Sequence, residues 1–230
     1  MLSDLLYSLR DTEFLFNLFG YISFRSGLSL VTSFLIVLIL MPYWIRFQQV
    51  IFPSGQPIRN DGPDTHFHKK GTPTLGGVLI LCSIIVSTIL WTSNFSSFNY
   101  ILILTLILFG LIGFVDDLQK VKLGKGISSK TKFLCQLLAT IIIFFTIKHN
   151  GFDLNNFSIP FLKNVSIELG YFYFVLILLI VIGSTNATNL TDGLDGLVAM
   201  PLIFVFLTFA IFAYVLGNIN FSDYLLVNYI

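Results

Sequence analysis

Six long apolar runs, separated by short polar segments, organise this chain: residues 28 to 45, 73 to 92, 98 to 115, 132 to 148, 169 to 186 and 197 to 217. A helix rising 1.5 Å per residue needs roughly 20 apolar residues to cross a hydrocarbon layer of about 30 Å, and each run is close to that length. Lipid offers backbone groups no partners, so segments of this kind are predicted as helices, which satisfy their own N–H and C=O groups. The expected fold class is all-α, a polytopic integral membrane helical bundle with about six transmembrane helices. No internal repeat or low-complexity tract interrupts the pattern, and residues 1 to 230 are expected to form a single transmembrane domain.

Composition agrees: 55% of residues are hydrophobic and 11% charged, against roughly 25% charged in a soluble domain. The 13 basic and 12 acidic residues nearly cancel, so nucleic acid is not an expected partner, since that role usually needs a basic excess. Cys82 and Cys135 lie inside apolar runs and are read as packing residues. Asp4, Arg10, Asp11 and Glu13 break up the amino end, which does not read as a cleaved signal peptide.

The placement of the charges says more than their sum. Connections between successive runs alternate sides of the membrane. One set comprises segments 46 to 72, 116 to 131 and 187 to 196, and it carries or adjoins nine Lys and Arg: Arg46, Arg59, Lys69, Lys70, Lys120, Lys122, Lys125, Lys130 and Lys132. The other set has four: Arg10, Arg25, Lys148 and Lys163. The positive-inside rule puts the first set in the cytoplasm and both termini outside. The polar motifs of the chain all fall in that cytoplasmic set.

The first motif runs from Gly55 to Gly77. Thr72 and Pro73 suit an N-cap and a first helical position, so the second span is expected to begin there. Lys69 and Lys70 beside that helix start could hold an anion, or could simply obey the positive-inside rule. Gly76 and Gly77 are expected to allow close helix packing. No cysteine or third histidine lies near His66 and His68, which read as solvated or substrate-contacting.

The second motif places Asp116 and Asp117 at the mouth of the third span, with Lys120, Lys122, Lys130 and Lys132 following. Two adjacent carboxylates there are costly unless hydrated, paired or cation-bound. In the third motif Asn186, Asn189, Asp192 and Asp195 recur every three residues. A continuous helix would fan them over about 180°, so a break near Gly193 or Gly196 is expected to let them converge.

Together these stretches resemble the polyprenyl-phosphate N-acetylhexosamine-1-phosphate transferase superfamily. The run Lys70, Gly71, Thr72, Pro73, Thr74, Leu75, Gly76, Gly77 is similar to that of its phospho-N-acetylmuramoyl-pentapeptide transferase branch, with Leu75 where Met is usual. The resemblance implies transfer of phospho-MurNAc-pentapeptide from UDP-MurNAc-pentapeptide to undecaprenyl phosphate, releasing UMP and forming lipid I for the cell wall, with Mg²⁺ as cofactor. It implies a bacterial cytoplasmic (inner) membrane protein with its site on the cytoplasmic side, and homodimers are among the expected assemblies. By the same resemblance Asp116 is a candidate base for the lipid phosphate and Asp117 supports metal or nucleophile positioning. Lys69, Lys120 and Lys132 would hold phosphates, and Thr74 joins the substrate-binding set. Asn189 and Asp192 would line the nucleotide pocket, and Gly193, Leu194 and Asp195 would contact uracil. The family implies about ten spans and a further, Mg²⁺-binding aspartate beyond Ile230. The chain is therefore expected to be an amino-terminal portion with little or no activity alone.

Two other readings compete. A GlcNAc-1-phosphate transferase of the same superfamily would use UDP-GlcNAc. A transporter would also carry ionisable residues in its spans, but near the midplane rather than at span ends. A CDP-alcohol phosphotransferase is disfavoured, because Met200 follows Ala199 where that signature wants Arg, and no aspartate recurs before Asp223.

Overall fold

The computed structural model describes residues 2–53, 55, 73–152, 154, 156–158, 166–192, 196–225 and 229. Contacts divide the chain into two compact units, Met1–Tyr173 and Phe174–Ile230. Among the described residues, five helices are long and apolar enough to cross a membrane, and a sixth is apolar but shorter. The chain is a multi-pass membrane protein.

The first unit opens with a short helix, α1 (Leu2–Ser8), and two 3-10 segments, Leu9–Asp11 and Phe14–Gly20. Then comes α2 (Ile22–Ile51), whose 30 residues span ~45 Å at 1.5 Å each and continue through Pro42. It outruns the expected 28 to 45 at both ends. Helix α3 (Gly76–Trp91) packs along it. Two indoles tie the pair near its two ends: Trp44 Nε1–H donates to the Leu75 carbonyl at 3.0 Å, and Trp91 Nε1–H donates to Thr32 Oγ1 at 2.9 Å. Both half-buried tryptophans thereby pack their rings without orphaning the N–H.

Helix α3 does not begin at Thr72 and Pro73 as expected. Pro73 and Thr74 are non-helical and Leu75 is the N-cap. Leu75 is 7% exposed and its carbonyl is held by Trp44, so the chain is anchored there before it turns helical. Thr72 lies outside the described residues. The expected close packing at Gly76 and Gly77 is also displaced. A Cβ on Gly77 would meet nothing within 4 Å, and one on Gly76 would be 3.9 Å from Met41 Cε. A tight approach between helices occurs instead at Gly110 on α4 (Ser97–Leu123), where a Cβ would stand 2.5 Å from Leu81 Cδ1 of α3. Cys82, expected to pack, is exposed on α3.

Helix α4 runs eight residues past its apolar run and ends only at Leu123. Segment 116–131 is thus mostly helix, with 124–128 alone connecting to α5 (Ser129–His149). Leu118, Gln119, Lys120 and Lys122 are good helix formers, and Asp116 pairs with Lys120 one turn on, which favours continuing the helix. Gly124 takes φ +74 at the helix end, its N–H donating to the Lys120 carbonyl at 3.0 Å. Ser128 caps α5, its Oγ accepting the Thr131 N–H at 3.2 Å. The buried positions of α5, Gln136, Ala139, Thr140 and Ile143, follow the spacing of one helix face. After α5 a two-stranded antiparallel ribbon, β1 (Asn156–Ser158) and β2 (Ser166–Glu168), lies in the connection to the next apolar run. It is a small exception to the all-α expectation.

The second unit holds α6 (Phe172–Thr191, beginning at the unit boundary), α7 (Ala199–Leu216) and a short α8 (Ile219–Leu225). Tyr214 and Phe221 bring α7 and α8 together, their ring centroids 6.3 Å apart.

Candidate functional site

The last two turns of α4 and the first turn of α5 bring together four of the residues singled out by sequence. Lys120 lies three residues after Asp117 and four after Asp116, the two spacings at which helix side chains are neighbours. Its Nζ stands 2.8 Å from Asp116 Oδ2 and 2.8 Å from Asp117 Oδ1. Lys132, in the first turn of α5, reaches across to Asp116 Oδ2 at 3.6 Å. Two carboxylates and two ammoniums thus balance locally, which answers the cost of placing adjacent acids at a span end. The dipoles act unequally. Lys120 and Lys122 near the carboxyl end of α4 are favoured, whereas Lys132 at the amino end of α5 is not and depends on Asp116 for compensation.

The two carboxylates differ in access. Asp116 is 5% exposed, and its second oxygen, Oδ1, accepts the Ile127 N–H at 2.9 Å. The Asp117 side chain is 33% exposed and has Lys120 as its partner. Of the two, Asp117 is the one that an incoming ligand can reach directly. Lys120 and Lys132 keep side-chain exposures of 27% and 18%, so each can exchange a carboxylate partner for a phosphate oxygen.

Sequence reasoning missed the loop that closes this cluster. Gly126 packs so tightly that a Cβ there would lie 2.5 Å from Asp116 Oδ1 and 3.2 Å from Lys120 Cε. Residues 124–128 fold back on the helix they leave, and Ile127 supplies a main-chain donor to it. The signal was present as Gly124 and Gly126 after a lysine-rich helix end and before Ser128, a glycine stop followed by a serine start.

In the second unit, Asn186 and Asn189 lie on the last turns of α6, which continues unbroken to Thr191. Asp192 follows at once, its N–H donating to the Thr188 carbonyl at 3.2 Å. Asn189 and Asp192 are exposed. Asn186 Nδ2 donates back to the Ile182 carbonyl at 2.9 Å, and Thr185 and Thr191 hydroxyls bond one turn back in the same way. The expected break falls between α6 and α7, with Gly196 at φ +80. Gly193, Leu194 and Asp195 lie outside the described residues, as do Lys69 and the two histidines His66 and His68. Thr74 stands two residues before α3 and makes no hydrogen bond to the four charged residues, among the described residues.

For a divalent cation the described residues offer little. They contain no group of three or more His, Cys, Asp or Glu side chains placed to share a metal. The Lys120 ammonium already bridges both adjacent carboxylates. This donor set alone does not fit Mg²⁺, which demands octahedral oxygen coordination.

Comparison with known proteins gives the family. A family model described as Glycosyl transferase family 4 matches residues 99–229, which takes in nearly all of α4, the loop 124–128, α5, α6, α7 and α8. A phospho-N-acetylmuramoyl-pentapeptide-transferase of Desulfotalea psychrophila is 44% identical over 233 residues, covering 100% of this chain and 64% of that protein. Proteins of the same name from Rickettsia prowazekii, at 40%, and Desulforapulum autotrophicum, at 44%, align with the same coverage. The chain therefore spans 64% of the length of these curated relatives. With more than half its residues inside the matched family model, the chain belongs to Glycosyl transferase family 4.

Proposed function

We propose that a protein of the relatives' full length containing this chain transfers phospho-MurNAc-pentapeptide from UDP-MurNAc-pentapeptide to undecaprenyl phosphate at the cytoplasmic face of the bacterial inner membrane. The observation that carries the reading is the Asp116, Asp117, Lys120, Lys132 cluster at the ends of two apolar helices, in a chain 40 to 44% identical throughout to relatives bearing that activity as their name. One substrate is a water-soluble polyanion and the other a lipid phosphate. A charged cluster at a helix end, rather than in mid-membrane, is where the two can meet.

In the reaction an oxygen of the lipid phosphate bonds to the sugar-bearing phosphorus, the bond from that phosphorus to the bridging oxygen breaks, and UMP leaves with the electron pair. Such displacements need alignment and charge neutralisation more than covalent help. Lys120 and Lys132 exchange their carboxylate partners for phosphate oxygens, neutralising the crowded negative charge. Asp116 and Asp117 are the catalytic carboxylates: Asp116, released as Lys120 and Lys132 turn to phosphate, accepts any proton the lipid phosphate carries, and the more exposed Asp117 orients its attacking oxygen. Lys69 would add a phosphate contact, Thr74 a substrate contact, and Asn189, Asp192, Gly193, Leu194 and Asp195 the contacts to the uridine. Mg²⁺ belongs to the proposal through the family resemblance, with ligands beyond the described residues, and no step here is routed through it.

The test is turnover. The family-length protein, purified with UDP-MurNAc-pentapeptide, Mg²⁺ and a polyprenyl phosphate, should release UMP and form the lipid-linked sugar, while residues 1 to 230 alone should release little or none. Preference for UDP-GlcNAc, or ion-coupled uptake in vesicles with no UMP release, would overturn the reading.

A further inference from the structure

The loop of residues 124–128 makes contacts that chain connection alone does not require. It has three coupled features: the left-handed turn at Gly124, the missing Cβ at Gly126 and the bond from Ile127 N–H to Asp116 Oδ1. Asp116 Oδ2 faces Lys120 and Lys132, so the Ile127 bond occupies the oxygen those lysines leave open and fixes the carboxylate plane. Lys132 of α5 takes its position from that carboxylate, and Lys120 is shared between it and Asp117. A main-chain N–H is well suited to the task, because it has no rotamer to lose and donates a charge-assisted bond to a carboxylate.

We propose that Gly126 and Ile127 are positioning residues of the transfer site, forming a main-chain clasp that aims Asp116 and, through it, Lys120 and Lys132. Gly126 acts by what it lacks. Any Cβ at that position would enter the space held by Asp116 Oδ1 and the Lys120 side chain. Relieving the clash means lifting the loop or turning the Asp116 carboxylate aside, and either movement breaks the Ile127 bond. Ile127 acts through its backbone, so its side chain is secondary. The proposal rests on the transferase reading above, and it adds two residues that never touch substrate.

The experiment has a structural arm and a kinetic arm, both on the family-length protein in detergent or nanodiscs. In hydrogen–deuterium exchange of the unaltered protein, the Ile127 amide should be protected well beyond a free loop amide, and Gly126→Ala should abolish that protection. In the kinetic arm, Gly126→Ala should lower kcat on the order of 100-fold, the usual cost of misplacing reacting groups by about 1 Å. The KM for the nucleotide sugar should rise far less than kcat falls, because uridine contacts are untouched. Ile127→Pro removes the donor without adding bulk at 126 and should give the same kcat loss, which covers the case in which Gly126→Ala fails to accumulate. Fast exchange of Ile127 in the unaltered protein would overturn the clasp, even if the enzyme turns over normally. Wild-type kcat in a folded Gly126→Ala or Ile127→Pro variant would overturn it too, as would a rise in KM with kcat unchanged. If the unaltered protein instead shows a protected Ile127 amide and no transferase activity, the clasp holds as a structural element and the transferase reading fails, taking the positioning role with it.

Discussion

The end of α4 and the end of α6 both turn from apolar to polar within a few residues, yet they dispose of their polar groups in opposite ways. At the end of α4, Asp116 is buried and held by an amide and two ammoniums drawn from the loop, its own helix and α5. Toward the end of α6, the side chains of Thr185, Asn186 and Thr191 bond back onto their own helix, and Asn189 and Asp192 face outward. The difference follows from charge. A carboxylate buried at a span end needs opposite charge beside it, which Lys120 and Lys132 supply to Asp116, whereas an exposed one such as Asp192 is hydrated. Amides and hydroxyls find a carbonyl one turn back and need no second segment. The first region is preorganised before any ligand arrives, whereas the second offers its outward groups to whatever binds.

That contrast can be broken by mutation, and the largest effect should come at its sharpest point. In the family-length protein, Asp117→Asn should lower turnover by roughly 1,000-fold, within the range that acid–base groups contribute. Membrane accumulation should stay near normal, because Asp117 is the accessible member of the pair. A variant that fails to accumulate but retains turnover per molecule would make Asp117 structural and erase the distinction.

Next comes Asp116→Ala, which removes the partner of Ile127 and Lys132 together. It should cost about 1–3 kcal/mol, as expected when donors lose a buried acceptor, read as a lower unfolding midpoint in detergent. Unchanged stability would mean the cluster is not preorganised.

The α6 end should behave the other way round. Asp192→Ala should weaken uridine nucleotide binding about tenfold, near 1.4 kcal/mol, and should shift stability by no more than about 0.5 kcal/mol, as for an exposed site. Calorimetric titration with UMP and a thermal melt separate the two effects. Lost stability with unchanged nucleotide affinity would place that region with the first rather than against it.

The smallest effect is expected away from both. Gly110→Ala crowds Leu81 and should cost about 1 kcal/mol of overpacking, with nucleotide affinity unchanged. Pairing it with Leu81→Ala, which frees the space, should recover part of that loss. A loss that the second change does not relieve would mean that Gly110 matters for something other than Leu81.

Much of this was legible in the residues. Long apolar runs fall where the helices are, because in lipid a run of about 20 such residues has one way to satisfy its backbone. Errors cluster at the ends. The connection 116–131 proved to be helix as far as Leu123, since polar residues with good helix propensity extend a helix beyond the membrane without changing its period. Helix α3 started late because Leu75 is held by Trp44, thirty-one residues earlier. The sequence reading put Asp116 and Asp117 at the mouth of the third span with Lys120 following, and the helix that runs on to Leu123 brings the three within one turn.

The sequence by itself determined the membrane class, the approximate helices, the charged cluster at the end of α4 and the family resemblance, because each of these rests on composition or on spacing within a single helix. Only the tertiary structure decided which carboxylate is buried, that Lys132 turns to it from α5, and that Gly126 is small so that Ile127 can reach Asp116. Those contacts join segments on either side of a turn, and their geometry depends on how the chain folds back. Residue periodicity carries no information about that path.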